Sequence, residues 1–226
     1  CHENGVEKVV LVDNGGCQWV TELNEPTVSY IKSPYNCGFG AGHNLAIRAN
    51  ADFDGYFLIC NPDISFARGE LDKLLSFAWD NQFTFVSPKI LYKNGDRQYS
   101  CRLLPTPVNL FLRRFLPTTA LKFDLEYELM DAEYDKVFSP PSVSGCFMLL
   151  TNALLQQLDG FDERYFMYLE DVDLCRRALP LTKIYYCPET TIIHVFNKGS
   201  YKSKLLLWYH VRSAISYFNK WGWFFD

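Results

Sequence analysis

The sequence predicts an α/β fold in which a mostly parallel central sheet is flanked by helices. Short apolar, β-branched runs end in polar turns, and these runs alternate with segments whose apolar residues have helical spacing. The chain has 226 residues, 48% of them hydrophobic, which is enough for one large α/β domain with a substantial core.

The elements follow in order along the chain. Strands are predicted over 9–12, 28–31, 56–60 and 85–91, and helices over 40–51 and 71–80. Residues 92–137 break this alternation and predict a mobile insertion, with a short amphipathic helix over 110–117 that carries Arg113 and Arg114. The pattern resumes with strands over 142–150 and 183–187 and helices over 152–158 and 203–220.

Composition excludes several classes of protein. The net charge of −4 gives no overall electrostatic reason to bind nucleic acid, and no apolar run is long and clean enough to span a bilayer. The eight cysteines are scattered without a CxxC pair. This pattern favours reduced, buried thiols in a cytoplasmic protein over a disulfide framework or a zinc site.

The segment 160–177 is the strongest candidate for a site. It interleaves five carboxylates with aromatic residues, and burying a carboxylate is costly unless it has a partner or a task. Asp173 can pair with Arg176 or Arg177 at helical spacing and so serve the scaffold. Glu170 and Asp171 then remain near the start of a helix, where a carboxylate can act as a general base.

Three further features have a functional and a structural interpretation. Asp63, in an Asn-Pro-Asp turn after a strand, fits a ligand of a hard cation or a simple turn former. The glycines of the 36–44 loop precede a helix and suit either a bound phosphate or a tight turn. His194 follows an apolar strand and is either a ligand or a buried core residue.

Taken in order, these elements resemble the family 2 glycosyltransferases of the GT-A fold, in particular their rhamnosyltransferase-like branch in cell-surface polysaccharide biosynthesis. The resemblance rests on six pieces: 12–15, 36–44, 60–63, 144–148, 160–177, and His194 with Gly199 and Ser200. It implies one GT-A domain, 1–226, with a nucleotide-binding half at 1–91, a variable insertion at 92–137 and an acceptor and catalytic half at 138–226. The usual first strand has no counterpart before Val6, so we expect either a trimmed chain or an incomplete donor site.

The resemblance also implies a role for each matching residue. Asp171 would be the catalytic base, and Glu170 would support it or contact the acceptor. Asp63 would hold Mg²⁺ or Mn²⁺, with Asn61 in place of the usual first acid, and His194 would contact the metal or the diphosphate. The residues implied to bind the nucleotide are Asp13, Asn36, Gly38, Gly40, Asn44 and Arg212. One base and no second nucleophile predict inversion at the anomeric carbon, in a single displacement from a dTDP- or UDP-sugar to a glycan or polyprenyl-diphosphate-linked acceptor.

The C-terminal segment combines basic and aromatic residues. These residues are Lys202, Lys204, Trp208, Arg212, Lys220, Trp221, Trp223, Phe224 and Phe225. They suit a peripheral contact with the inner face of the cell membrane, or equally packing on the domain or in a homo-oligomer. As alternative functions, a non-catalytic nucleotide-sugar or glycan-binding module and a metal-dependent phosphohydrolase remain open at this point.

Overall fold

The computed structural model describes residues 3, 5–16, 25–110, 125–195 and 203–223. The strands are β1 (Val9–Asp13), β2 (Val28–Lys32), β3 (Tyr56–Cys60), β4 (Ile64–Phe66), β5 (Phe85–Leu91), β6 (Cys101–Arg102), β7 (Ser142–Val143), β8 (Phe147–Thr151) and β9 (Tyr185–His194). The helices of six or more residues are α1 (Phe39–Ala49), α2 (Glu70–Asp80), α3 (Asn152–Gln157), α4 (Glu170–Ala178) and α5 (Lys204–Trp221). The predicted α/β class is confirmed.

The central sheet has the strand order β3-β8-β5-β9-β4 and is mixed. Within it β5 and β9 are parallel, whereas β8 runs antiparallel to both β3 and β5, and β4 antiparallel to β9. The prediction of a mostly parallel sheet was therefore wrong for these five strands. Antiparallel pairing needs no crossover helix, and the described part of the excursion over residues 92–146 that leads to β8 contains no helix of six or more residues.

A separate parallel pair, β1 and β2, lies beside α1. Its register aligns Val9 with Val28 and Asp13 with Lys32. Helix α1 packs on β1, and the Gly-rich loop leads into this helix as the sequence predicts. The turn after β1 and the start of α1 are thereby brought together.

The core covers both faces of β8. Met148 and Leu150 belong to one buried cluster, with side chains from α1, α3 and α4. Phe147 and Leu149 belong to a second cluster, with side chains from α2. This alternation is the two-residue period of a strand that is buried on both sides.

Two predicted elements differ from the observed ones. The strand predicted over 142–150 is divided into β7 and β8 by a turn at 144–146, whose central residue is Gly145. The predicted insertion is partly core: Cys101 and Tyr134 are buried in the cluster with α1, α3 and α4. Residues 107–110 are helical, but most of the predicted amphipathic helix, including Arg113 and Arg114, lies outside the described residues.

Candidate active site

Asp171 lies in the first turn of α4, and backbone groups hold its side chain. Its Oδ2 accepts a hydrogen bond from the Gly145 N–H at 2.9 Å, and its Oδ1 accepts one from the Val172 N–H at 2.9 Å. A Cβ at Gly145 would lie only 2.9 Å from the Cβ of Asp171. The turn at 144–146 can therefore approach the carboxylate this closely only with a glycine at its centre.

The backbone before α4 is strained. Tyr168 and Leu169 have φ values of 70° and 65°, in the left-handed region that residues with a side chain rarely adopt. Two such residues in succession cost on the order of 1–2 kcal/mol each. Neighbouring packing opposes this cost, because Phe166 stacks on Tyr209 of α5 with ring centroids 4.5 Å apart. The strained turn fixes the direction in which α4 begins, and with it the position of Asp171.

Glu170 is next to Asp171 but is buried. Burial raises the pKa of its carboxyl well above the usual range, and the charge of Asp171 raises it further. Among the described residues, its Oε2 has no hydrogen-bond partner. Both the burial and the nearby charge favour the protonated form of Glu170 over a second charged carboxylate beside Asp171.

Asp63 and His194, the two residues predicted to bind a metal, lie close together. Oδ1 of Asp63 is 3.4 Å from Nε2 of His194, with the Asp63 side chain 43% exposed and the His194 side chain buried. Burial lowers the pKa of His194, although the Asp63 carboxylate opposes this shift. A neutral imidazole beside an accessible carboxylate has the donor chemistry of a divalent cation site.

Asn61, two residues before Asp63 in the chain, carries a further candidate oxygen ligand. Its Oδ1 is buried without a hydrogen-bond partner among the described residues, which is costly unless a ligand uses it. No group of three or more His, Cys, Asp or Glu side chains that could hold a metal occurs in the described part of the chain. The residues present thus fit a cation whose coordination is completed by its substrate.

The turn at 144–146 joins the two parts of the site. The Asn61 N–H donates to the carbonyl oxygen of Cys146 at 2.9 Å, while the adjacent Gly145 binds Asp171. Burial raises the pKa of the Cys146 thiol to about 12, and the charges of Asp171 and Asp63 both add to this effect. One short turn therefore lies between the candidate base and the candidate cation site.

The carboxylate of Asp13 already has partners within the protein. Its Oδ1 accepts from the backbone N–H groups of Gly15 and Gly16 at 3.0 and 2.6 Å, and its Oδ2 accepts from the Tyr30 hydroxyl at 2.6 Å. The side chain is buried at the end of β1. Asp13 thus shapes the turn after β1, and its contact with a nucleotide stays a prediction.

Two glycines of the 36–44 loop lie in close contact with the segment that leads into α4. Gly38 has a φ of 94°, and a Cβ there would collide with the carbonyl oxygen of Phe166. A Cβ at Gly40 would lie 2.7 Å from Cβ of Phe161. The exposed Asn36 accepts from the Gly38 N–H at 3.1 Å. These contacts favour the structural interpretation of Gly38 and Gly40, and the nucleotide-binding role of the loop is untested.

Asn44 fastens α1 to the segment that leads into α4. Its Oδ1 accepts from the Phe161 N–H, and its Nδ2 donates to the Phe161 carbonyl and to Oε1 of Glu163, all between 2.8 and 2.9 Å. Arg48 reaches the same Glu163 oxygen at 2.6 Å. The side chain of Asn44 is therefore fully used within the protein.

Asp173 is the scaffold residue that the spacing predicted, but its network is larger. Arg177 donates to Oδ2 at 2.8 Å, which confirms one of the two predicted partners. Lys220 and Trp221, at the end of α5, donate to the same carboxylate at 2.7–2.9 Å. No local pattern could reveal these partners, which lie 47 and 48 residues away along the chain.

Arg212 lies on the exposed side of α5. Its guanidinium is 5.5 Å from the ring centroid of Trp208 on the same helix. Its predicted contact with the nucleotide is not tested by this geometry. Of the predicted site residues, the structure brings together Asp63 with His194 and Glu170 with Asp171.

No protein-family model matches the chain. Over 191 residues it is 28% identical to the rhamnosyltransferase WbbL of Escherichia coli, covering 80% of this chain and 69% of that protein. It is 27% identical over 205 residues to the N-acetylglucosaminyl-diphospho-decaprenol L-rhamnosyltransferase of Mycobacterium tuberculosis, covering 82% and 66%. A low-salt glycan biosynthesis hexosyltransferase of Haloferax volcanii is 26% identical over 183 residues, covering 77% and 54%. The chain thus spans between about half and two thirds of the length of these relatives.

Solved structures share the fold at low sequence identity. GalNAc-T7, solved with UDP, GalNAc and Mn²⁺, superposes with a TM-score of 0.60 at 11% identity, covering 85% of this chain and 38% of that one. The mannosyltransferase PcManGT of Pyrobaculum calidifontis, solved with GDP-Man and Mn²⁺, gives a TM-score of 0.56 at 16% identity, covering 86% and 49%. Staphylococcus aureus TarS gives 0.54 at 16% identity, covering 83% and 50%.

Proposed function

We propose that this chain, a glycosyltransferase of the GT-A fold by its structure and its relatives, transfers a sugar from a nucleotide-diphosphate donor to an acceptor hydroxyl with inversion. The observation that carries the proposal is the turn at 144–146, which binds Asp171 through Gly145 and Asn61 through Cys146. A glycosyl transfer needs a base for the acceptor beside a charged site for the leaving diphosphate, and this turn holds both.

Asp171 acts as the base in the proposed reaction. It accepts the proton of the acceptor hydroxyl as that oxygen forms a bond to the anomeric carbon, and the bond from this carbon to the diphosphate oxygen breaks. The electron pair of the broken bond leaves with the nucleoside diphosphate. Burial of Glu170 raises its pKa and disfavours a second charged carboxylate that could act as a nucleophile, which supports a single displacement with inversion.

Asp63, His194 and Asn61 would hold Mg²⁺ or Mn²⁺, which when bound supplies positive charge to the leaving diphosphate. Asp63 offers an exposed carboxylate, His194 a neutral imidazole and Asn61 an amide oxygen without a partner in the described chain. Two structures that share the fold were solved with Mn²⁺, which supports use of a divalent cation here.

The relatives suggest the substrates. Two of them are named rhamnosyltransferases, and the name of one specifies an acceptor built on a decaprenol diphosphate. We therefore propose L-rhamnose or a similar hexose as the transferred sugar, carried on dTDP or UDP. The acceptor would be a glycan hydroxyl on a polyprenyl diphosphate.

A lipid-linked acceptor would place the enzyme at a membrane surface, and α5 offers a suitable face. Leu205, Trp208, Val211 and Ile215 lie on one side of this helix and are 44–58% exposed. Helix α5 contains basic residues and no Asp or Glu. Trp221, also predicted for this surface, instead donates to Asp173, and Phe224 and Phe225 lie outside the described residues. No described helix is long and apolar enough to cross a bilayer.

Vesicle sedimentation tests the membrane contact. We expect the chain to sediment with vesicles that contain anionic lipid and to lose this binding when Trp208 and Ile215 are both replaced by Gln. Trp79→Gln is the matched control, because Trp79 is 72% exposed on α2, and it should bind as the wild type does. A chain that stays in the supernatant and forms dimers by light scattering would assign this face to a second copy.

A transfer assay with Asp171→Asn tests the reaction. We expect the rate to fall about 10²–10⁴-fold, the usual contribution of a general base, while donor binding measured by thermal shift is retained. Asp80→Asn, at the exposed end of α2, is the control and should keep the wild-type rate. Chelation with EDTA should stop transfer and added Mn²⁺ should restore it. Transfer at the wild-type rate by Asp171→Asn would contradict the proposal.

A further inference from the structure

Arg102 lies in β6, the strand that pairs with β7 just before the turn at 144–146. The antiparallel register aligns Arg102 with Ser142 and Cys101 with Val143. Cys101 and Val143 are both buried in the core cluster with α1, α3 and α4. Because successive side chains of a strand point to opposite faces, Arg102 faces away from this cluster.

The guanidinium of Arg102 is incompletely used within the described part of the chain. Its Nε is buried and has no hydrogen-bond partner among the described residues. Its Nη2 forms only a long ion pair, 4.0 Å from Oε1 of Glu128, whereas an N–H to oxygen hydrogen bond spans about 2.7–3.2 Å. A guanidinium has five N–H donors, and burying one without an acceptor is costly. With 30% of its side chain exposed, Arg102 keeps donors that a ligand can reach.

The electrostatics of Cys146 place Arg102 beside the candidate active site. Burial raises the pKa of this thiol, and the charges of Asp171 and Asp63 raise it further. The charge of Arg102 acts on the same thiol in the opposite direction. A cation, the candidate base and the acid of the candidate cation site thus all lie within electrostatic reach of one residue of the turn.

We propose that Arg102 binds a diphosphate group of a substrate through the terminal nitrogens of its guanidinium. The proposal rests on the proposed function, in which the nucleotide donor and the lipid-linked acceptor each carry a diphosphate. The planar fork of a guanidinium matches two phosphate oxygens at once. Its positive charge also offsets the repulsion that Asp171 and Asp63 exert on an anionic substrate.

Calorimetry with diphosphates of increasing size tests this binding. The probes are inorganic pyrophosphate, UDP and dTDP, each with Mg²⁺, and the nucleosides uridine and thymidine. Arg102→Met keeps an apolar stem and removes the charge, and we expect its affinity for the diphosphates to fall about 10–100-fold, as for the loss of a charged hydrogen bond. Its affinity for the nucleosides should not change. Arg68→Met, at an exposed position after β4, is the matched control and should bind every probe as the wild type does.

A second variant separates ligand binding from the ion pair with Glu128. Arg102→Lys keeps a positive charge for Glu128 but lacks the planar fork, so we expect a wild-type thermal midpoint and a smaller loss of diphosphate affinity. A fall in the thermal midpoint of Arg102→Met with unchanged binding of all probes would show a purely structural residue.

The acceptor assay identifies which diphosphate is bound. The same acceptor sugar is supplied on a polyprenyl diphosphate and as an alkyl glycoside, and the KM for each is measured. A KM that rises in Arg102→Met only for the diphosphate-linked acceptor, with nucleotide binding unchanged, assigns the contact to the acceptor. Unchanged diphosphate affinities together with an unchanged KM for both acceptors would overturn the proposal. If the wild type binds neither nucleoside diphosphate, the donor of the proposed function is wrong, and pyrophosphate binding still decides the role of Arg102.

Discussion

Gly145→Ala should slow transfer much more than it weakens donor binding. The new Cβ would lie 2.9 Å from Cβ of Asp171 and 3.4 Å from its Oδ2, whereas apolar carbon atoms in contact sit about 3.5–4.0 Å apart. The turn or the carboxylate must therefore move by about 0.6 Å or more to restore an ordinary contact. A displacement approaching 1 Å costs about 100-fold in rate, which corresponds to about 2.7 kcal/mol in the barrier.

The assay is steady-state transfer with the donor and the acceptor varied separately. We expect kcat to fall about 10–100-fold, while the KM for the donor changes by less than about threefold. Overpacking should also lower the free energy of unfolding of Gly145→Ala by about 1–3 kcal/mol, so this variant and the wild type must be assayed well below their melting temperatures. Gly15→Ala is the matched control for stability, because a Cβ there meets nothing within 4 Å. A wild-type kcat in Gly145→Ala would refute the idea that the close approach of this turn positions Asp171.

Three further predictions concern the residues around the base. The pKa of Glu170 is raised by burial, so folding favours the protonated form, and the wild type loses stability as the pH rises above the unfolded value of about 4.3. The Glu170→Gln variant lacks this loss. The amount by which its free energy of unfolding, measured by urea denaturation, exceeds that of the wild type should therefore be larger at about pH 8 than at about pH 5. An equal difference at the two pH values would contradict the burial argument. Asp173→Asn should cost about 3–5 kcal/mol in unfolding free energy, since Lys220 and Arg177 lose a buried counter-charge; an unchanged thermal midpoint would contradict this. Asn44→Ala should lower the free energy of unfolding by about 2–3 kcal/mol, because it removes the three hydrogen bonds that hold α1 to the segment before α4. Calorimetry of UDP binding to the same variant separates the two roles: retained binding supports a structural role, and lost binding supports a nucleotide contact.

Most of the elements could be predicted because their patterns are local. The apolar run 56–60 and the helical spacing over 71–80 are complete within a few residues, and both elements form close to the predicted bounds. The direction of β8 could not be predicted, since it depends on which strands receive it after an excursion of about fifty residues. Hydrophobic patterning specifies that a strand is buried but not which neighbours it pairs with.

The site divides in the same way. Asp63 and His194 could be singled out from local sequence, because Asp63 lies in a turn after a strand and His194 ends an apolar strand. The structure brings their side chains together. The glycines of the 36–44 loop indicate a close approach, but sequence cannot say whether phosphate or the Phe166 carbonyl approaches. Lys220 carries no sequence signal, because it acquires its role from Asp173, which is distant along the chain.

Three carboxyl groups in the first turn of α4 differ in burial and in hydrogen-bond partners, and these differences determine which of them can act as a base. Asp173 is fully buried, and its oxygens accept from Tyr165, Arg177, Lys220 and Trp221, which leaves no room for a substrate. Glu170 is buried beside a like charge, and both effects raise the pKa of its carboxyl and favour the protonated form. A carboxylate has about four acceptor positions, and Asp171 uses two of them for backbone N–H groups. Of these three groups, Asp171 alone combines partial exposure with acceptor positions for an incoming hydroxyl, which supports the proposal that it is the base.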